Sequence, residues 1–307
     1  AHPDLVSRSL SATTNCRIDV STPNGPGNAF AHKRHGGKIA VFTFHYRDDP
    51  RMTPEMIAKK RAESDSVTWA QEREIDYSAS IEGICIPAKW VRACVDFVIE
   101  GLSKDFPLVA GFDVADGGRN KSVFIARRGP IVMEPLAWGE ISSTQAAWKA
   151  ADEGERLGVE SVFYDCIGVG SSVKGARENS ERKLRFQTVP VKWGDPPSAA
   201  RWPNGKTSQE MFANLRAELW WMVRTRCEKT YLVVTEGASF PPDELISLPN
   251  NPELIAQLSL PLTHYTNTGK TQLESKDDMQ KRGVSSPDYG DALCYSHAPG
   301  PYIGRIA

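Results

Sequence analysis

The sequence predicts a mixed α/β fold built on one sheet, antiparallel in its first part and parallel in its second. Three observations carry this. From residue 108, apolar runs of strand length follow one another with only Gly-containing turns between them, as in hairpins. After residue 140 such runs alternate with helix-length stretches, as in parallel units. Two of the runs, LVAGFD and SVFYD, stay apolar until a terminal aspartate. At 307 residues the chain has room for about two domains and a sizeable core. A composition 40% hydrophobic and 24% charged is that of an ordinary globular protein. No apolar run approaches the roughly 20 residues that a membrane helix needs. A formal net charge of -1 gives no overall basic field, so a nucleic-acid partner would have to be drawn by local patches.

Residues 1–82 alternate short strand-like runs (CRIDVSTPNG, GKIAVFTFHY) with turns, then carry helical stretches from Pro54 to about Ser64 and around VTWAQEREIDY. They supply edges and helices but few core strands, as part of a domain would. Residues 83–104 mix a Pro-marked turn with an amphipathic helix and read as a connection. Then come the strands LVAGFD, KSVFIARR and PIVMEPLAW, with turns at DGGRN and RGP. The helix SSTQAAWKAADEGERLG follows, with Ser142 and Ser143 as N-caps and Gly158 as its stop. VESVFYD is a strand, CIGVGSSVKGARENS a Gly turn into a helix, and FQTVPVKWG another strand, giving the order β-β-β-α-β-α-β. A polar loop at 194–207 with three prolines leads into one long helix, SQEMFANLRAELWWMVRTR, whose Trp220 and Trp221 are assigned to the core. A hairpin, LTHYTNTGKTQLES, and a final helix from Ser286 close the chain. The six cysteines form no CxxC pair and read as reduced core residues; His32 and His35 lack a third ligand and read as a basic loop.

Asp113 and Asp165 pose the functional question, because ionised carboxylates at the ends of buried strands need a partner. Neighbouring strands ending on one side would bring the two together. SSPDYGDAL adds Asp288 and Asp291, three apart on one helix face, behind Ser286 as N-cap and Pro287 at the first helical position. Asp116 reads as an Asx turn in DGG. Clustered acids repel unless a cation neutralises them, and oxygen donors without His or Cys select Mg²⁺ or Mn²⁺. Two such ions suit phosphodiester hydrolysis.

These residues carry a resemblance to the large terminase subunit of tailed bacteriophages. STPNG at 21–25, including Ser21 and Thr22, resembles the family's ATPase coupling motif, and WAQEREIDYSASIEG with IPAKWV resembles the approach to its nuclease domain. GFDVADGG, YDCIGVG and SKDDMQKRGVSSPDYGDAL resemble its three nuclease motifs. The resemblance implies a ribonuclease H-like fold over 105–307, with Asp113, Asp165 and Asp288 as catalytic metal ligands and Asp291 as a supporting one. It implies that residues 1–82 are the C-terminal end of a P-loop ATPase domain without Walker A and B, with an upstream portion expected. Asn120 departs from an acid common in the family. ARWPNGKT, a relaxed phosphate-loop pattern, has no strand leading into it and is set aside. The implied partners are double-stranded DNA, the small terminase subunit, the portal protein and the upstream ATPase domain, in the host bacterial cytoplasm.

Basic clusters would hold the DNA: Lys174, Arg201, Lys206, Lys276, Lys281 and Arg282, with Lys281 and Arg282 nearest the third motif. Phosphate contacts carry no sequence code, so salt-sensitive, sequence-independent cutting is expected. Residues 194–207 are a candidate lid or DNA guide. Two alternatives remain: an actin-like or sugar-kinase-like phosphotransferase, and a non-catalytic module stabilised by a metal ion.

Overall fold

The structure, a computed structural model, describes residues 18–21, 30, 33–34, 36–63, 69, 72–75, 83–102, 105–115, 121–166 and 182–300. Asp116, Asn120, Thr22, Lys174, Cys16, His32, His35 and the helix expected after Cys166 lie outside them. The chain forms two compact units, Ala1–Ile84 and Cys85–Ala307.

In the first unit, helix α1 (Pro54–Glu63) lies as expected. Glu74 ties the unit together locally, accepting from the Tyr46 hydroxyl at 2.9 Å and from Trp69 Nε1 at 3.2 Å. The run GKIAVFTFHY, expected to be a strand, joins no ladder among the described residues, and Ile39, Val41, Phe42 and Phe44 are exposed. A strand is stable only when paired, and no partner is found for it here.

The second unit opens with α2 (Ala88–Ala93), which buries Trp90 and Val91, so most of the segment read as a connection is packed into this unit. The sheet follows: β1 (Leu108–Asp113), β2 (Ser122–Arg128), β3 (Ile131–Val132), β4 (Leu136–Trp138), β5 (Ser161–Asp165) and β6 (Gln187–Val191). Its order is β3-β2-β1-β5-β6, with β4 also on β2; β1 is antiparallel to β2 and parallel to β5, and β5 is parallel to β6. This is the mixed sheet that the sequence predicts. The one difference is that Met133–Pro135 splits the third expected strand in two. Between β4 and β5, α3 (Ser143–Leu157) starts in a capping box of Ser142 with Gln145 and stops at Gly158 with φ 72°. Its small residues Ala146 and Ala150 pack on Leu108, Ala110, Phe112 and Val162 of the sheet.

The expected single helix at 208–226 is two. A capping box of Thr207 with Glu210 begins α4 (Ser208–Met211), Phe212 turns extended at φ -118°, ψ 148°, and Asn214 caps α5 (Leu215–Glu236). Phe212 is fully buried against Trp202 and Trp221, and Ala213 N donates to Thr271 O at 2.9 Å. Burying that ring outweighs the continuity of the helix. Then follow α6 (Pro252–Leu258), the expected hairpin of β7 (Thr263–Tyr265) and β8 (Thr271–Leu273), α7 (Lys276–Lys281) and α8 (Asp288–Tyr295). Helix α8 begins at Asp288 rather than Pro287, and Pro287 in the cap position gives no side-chain cap. None of the described helices is long and apolar enough to cross a membrane. Cys85, Cys94, Cys227 and Cys294 are buried free thiols, and Cys166 is a half-buried one.

Candidate metal centre

Strand alternation divides β1 between two faces: Ala110 and Phe112 meet α3, while Gly111 and Asp113 face α8. A Cβ on Gly111 would lie 1.9 Å from the Ala292 carbonyl oxygen, so only glycine lets α8 lie on the strand. The far end of the helix is tied to β2, where Arg127 donates to the Ser296 carbonyl at 2.6 Å. Thus the C-terminal half of α8 is fixed over the sheet. The last β1–β5 pair is Phe112↔Tyr164, so Asp113 and Asp165 are the next residues on adjacent parallel strands. Asp288 and Asp291 project from the first turn of α8.

The four acids share one electrostatic environment. Burial pushes Asp113 up to about 7; Lys276 opposes this, and Asp291, Asp288 and Asp165 add to it. Burial also raises Asp288, against the pull of Ser286, Lys276 and the Lys121 amide. Asp291 is wholly buried, yet Arg216 and Lys276 override burial and hold it low. It accepts from Trp220 Nε1 at 2.9 Å and pairs with Arg216 at 3.3 Å and Lys276 at 3.1 Å. Lys276 also reaches Asp113 at 3.6 Å. Burial works against its ammonium, and Asp113 and Asp291 keep it protonated. Gly290 makes room for the Trp220 indole, whose ring would lie 2.6 Å from a Cβ there.

Oxygen donors on converging elements, with Asp113 and Asp288 both raised by burial and by neighbouring acids, are the chemistry of a hard divalent cation site. Among the described residues, however, no three such side chains converge closely enough to hold an ion in this arrangement. Here the Lys276 ammonium bridges Asp113 and Asp291. Asp291 is the acid most fully committed to protein partners.

The expected DNA-binding residues separate. Lys276 is half-buried and pairs with two of the acids. Arg282 is held by Glu274 at 2.8 Å and by the Leu260 carbonyl at 2.6 Å. Lys281 is exposed and, among the described residues, pairs with Asp278 of its own helix. Arg201 and Lys206 are exposed on a tight turn in which Trp202 N donates to Lys206 O at 2.9 Å and Gly205 takes φ 81°. That turn leads into the short α4, which is no nucleotide cradle. The loop 194–207 is pinned: the buried Glu218 carboxylate accepts from Ser198 N at 2.6 Å, Ser198 Oγ at 2.5 Å and Ser208 Oγ at 2.7 Å. Ser21 is exposed coil. An apolar groove lined by Phe112, Trp148, Tyr164, Leu184 and Phe186 lies on the α3 face, away from the acids. The contacts of Arg216 and Trp220 with Asp291 escaped the sequence reading, which placed Trp220 only in the core, because a long helix shows no sign of which residues face an acid 70 or more positions away.

Comparison with solved structures assigns this fold to the class of large-terminase nuclease domains. The nuclease domain of the large terminase subunit gp2 of bacterial virus Sf6 matches with a TM-score of 0.64 at 24% identity, over 71% of this chain and 100% of that one. A point mutant of the same Sf6 domain, with manganese and β-thujaplicinol, gives 0.64 at 23% over 71% and 100%. A mutant with calcium gives 0.64 at 24% over 70% and 100%. No family model and no curated protein matches the chain.

Proposed function

We propose that this chain carries the metal-dependent endonuclease of a viral DNA-packaging terminase, cutting concatemeric double-stranded DNA with little sequence preference. One observation carries the reading: Asp113 and Asp165 end adjacent parallel strands, Asp288 opens the helix packed on them, and Asp165, Asp288 and Asp291 all act on the buried Asp113 carboxylate, in a fold similar to terminase nuclease domains. Asp113, Asp165 and Asp288 would hold one or two Mg²⁺ or Mn²⁺ ions, with Asp291 in support. Bound there, such ions supply an activated water and stabilise the leaving oxygen of phosphodiester hydrolysis.

The chain's own residues do the rest. Arg216 and Trp220 fix Asp291, and Asp291 with Asp113 fixes Lys276 beside the ligands. The Lys276 ammonium offsets the mutual repulsion of Asp113 and Asp291. Exposed Arg201, Lys206 and Lys281, together with Lys174, would grip phosphates without reading bases. Residues 1–82 are proposed as the end of an ATPase domain on the STPNG resemblance, with 83–104 leading into a nuclease domain at 105–307. Double-stranded DNA, the small terminase subunit, the portal protein and an upstream ATPase domain are the proposed partners, on the procapsid in the host bacterial cytoplasm. ATP hydrolysis by the chain alone is not expected.

One observation favours a second reading, a non-catalytic module. Lys276 and Arg216 already neutralise Asp113 and Asp291, as a structural ion-pair network would. Digestion of supercoiled plasmid with Mg²⁺, Mn²⁺ or EDTA separates the two. Divalent-dependent nicking that Asp113→Asn abolishes supports the nuclease; intact plasmid in every lane supports the module.

A further inference from the structure

Tyr295 ends α8, one turn beyond Asp291 and two beyond Asp288, and so shares their face of the helix. It is fully buried. Its ring stacks on Trp193 with centroids 3.9 Å apart and planes 21° from parallel, which fixes where the hydroxyl points. Burial and the charges of Asp113, Asp165 and Asp291 all raise the phenol, and Asp165, on the sheet face that α8 covers, is the carboxylate that acts on it as an acceptor. Yet the hydroxyl has no hydrogen bond of ordinary geometry among the described residues. Leaving a buried hydroxyl without a partner is costly, and phenylalanine would fill the same space without that cost. The donor is therefore placed for a partner that this arrangement of the acids does not bring quite into reach.

We propose that Tyr295 is a positioning residue for Asp165: its Oη–H donates to one carboxylate oxygen and turns the other toward a bound divalent ion. The inference rests on the nuclease reading of the same site. Carboxylate ligands are held by such outer donors, whose loss weakens metal binding by about 10–100-fold. The Trp193 stack supplies the rigidity that such a donor needs. Trp193 comes from the turn just after β6, next to the strand that carries Asp165, so the positioning pair is assembled from two elements.

The test is calorimetric titration of Mn²⁺ into the full chain and into Tyr295→Phe, with thermal unfolding of both in EDTA. The expected result is a variant that melts at or above the wild-type temperature and binds Mn²⁺ about 10–100-fold more weakly. Binding within twofold of wild type overturns the inference and leaves the nuclease reading intact. A melting temperature that falls together with Mn²⁺ affinity marks the hydroxyl as structural and also overturns it. Wild-type chain that takes up no Mn²⁺ overturns the nuclease reading and this inference with it.

Discussion

Asp113 and Asp291 look alike in the sequence and do different work. Asp291 has Arg216, Lys276 and Trp220 as partners and is held low. Removing it as Asp291→Ala leaves two cations facing an apolar gap, a loss of about 3–5 kcal/mol, which chemical denaturation measures; a loss within experimental error would show that the network contributes nothing. Asp113 is raised to about 7 from an ordinary value near 4. Between those values the folded chain binds more protons than the unfolded one, so this group's contribution falls as pH rises and its full cost is present above about 7. In EDTA, Asp113→Asn should therefore gain on the wild type as pH rises from 5 to 9. Each 1 kcal/mol corresponds to about 2–4 °C in a domain of this size. Equal melting temperatures at both ends of the range would contradict the burial of that charge. Asp113 and Asp165 were legible because apolar strands that end in an acid are unusual. The partners of Asp291 were not, since Arg216 and Trp220 reach it only through the packing of α5 on α8.

At the scale of elements, two contacts position the site. Helix α8 lies on β1 because residue 111 is glycine, with the Ala292 carbonyl where a Cβ would go. Gly111→Ala must push the helix off the strand, with a destabilisation of at least about 1–3 kcal/mol and loss of any Mn²⁺ binding; an unchanged melting temperature would contradict this packing. Residues 194–207 are anchored by Glu218. Glu218→Ala leaves Ser198 and Ser208 without their shared acceptor, about 1–3 kcal/mol for a buried group, and should open the loop to limited proteolysis between 194 and 207. The succession of strands along the chain, the α3 caps and the β7–β8 hairpin were legible because local rules fix them. The break at Phe212 was not, because a ring entering the core is a tertiary event. The run at 37–46, which joins no ladder among the described residues, shows the same limit from the other side: β-propensity names a strand but not its partner.

For the whole molecule, a chain of net charge -1 can bind DNA only through what it exposes locally. Of the basic residues singled out, Arg201, Lys206 and Lys281 make no tertiary ion pair among the described residues, whereas Lys276 pairs with Asp113 and Asp291 and Arg282 pairs with Glu274. Replacing Arg201 and Lys206 together by alanine should lower the slope of log affinity against log salt by about two, uniformly across DNA sequences. Arg282→Ala should instead lower stability and leave the slope alone. Equal salt slopes for the double variant and the wild type would remove the 201–206 turn from the DNA surface. The mixed sheet was legible in outline from the order of its runs. The bridge that Lys276 makes between Asp113 and Asp291 was not, because a lysine before a third motif reads equally well as a phosphate contact.

The most direct test of the central claim is an anomalous difference map at the manganese edge from crystals of the chain grown with Mn²⁺. A peak in contact with Asp113 and Asp165, with the Lys276 ammonium moved away from Asp113, is the predicted result. A map with no peak among the acids, and Lys276 still bridging Asp113 and Asp291, would contradict it.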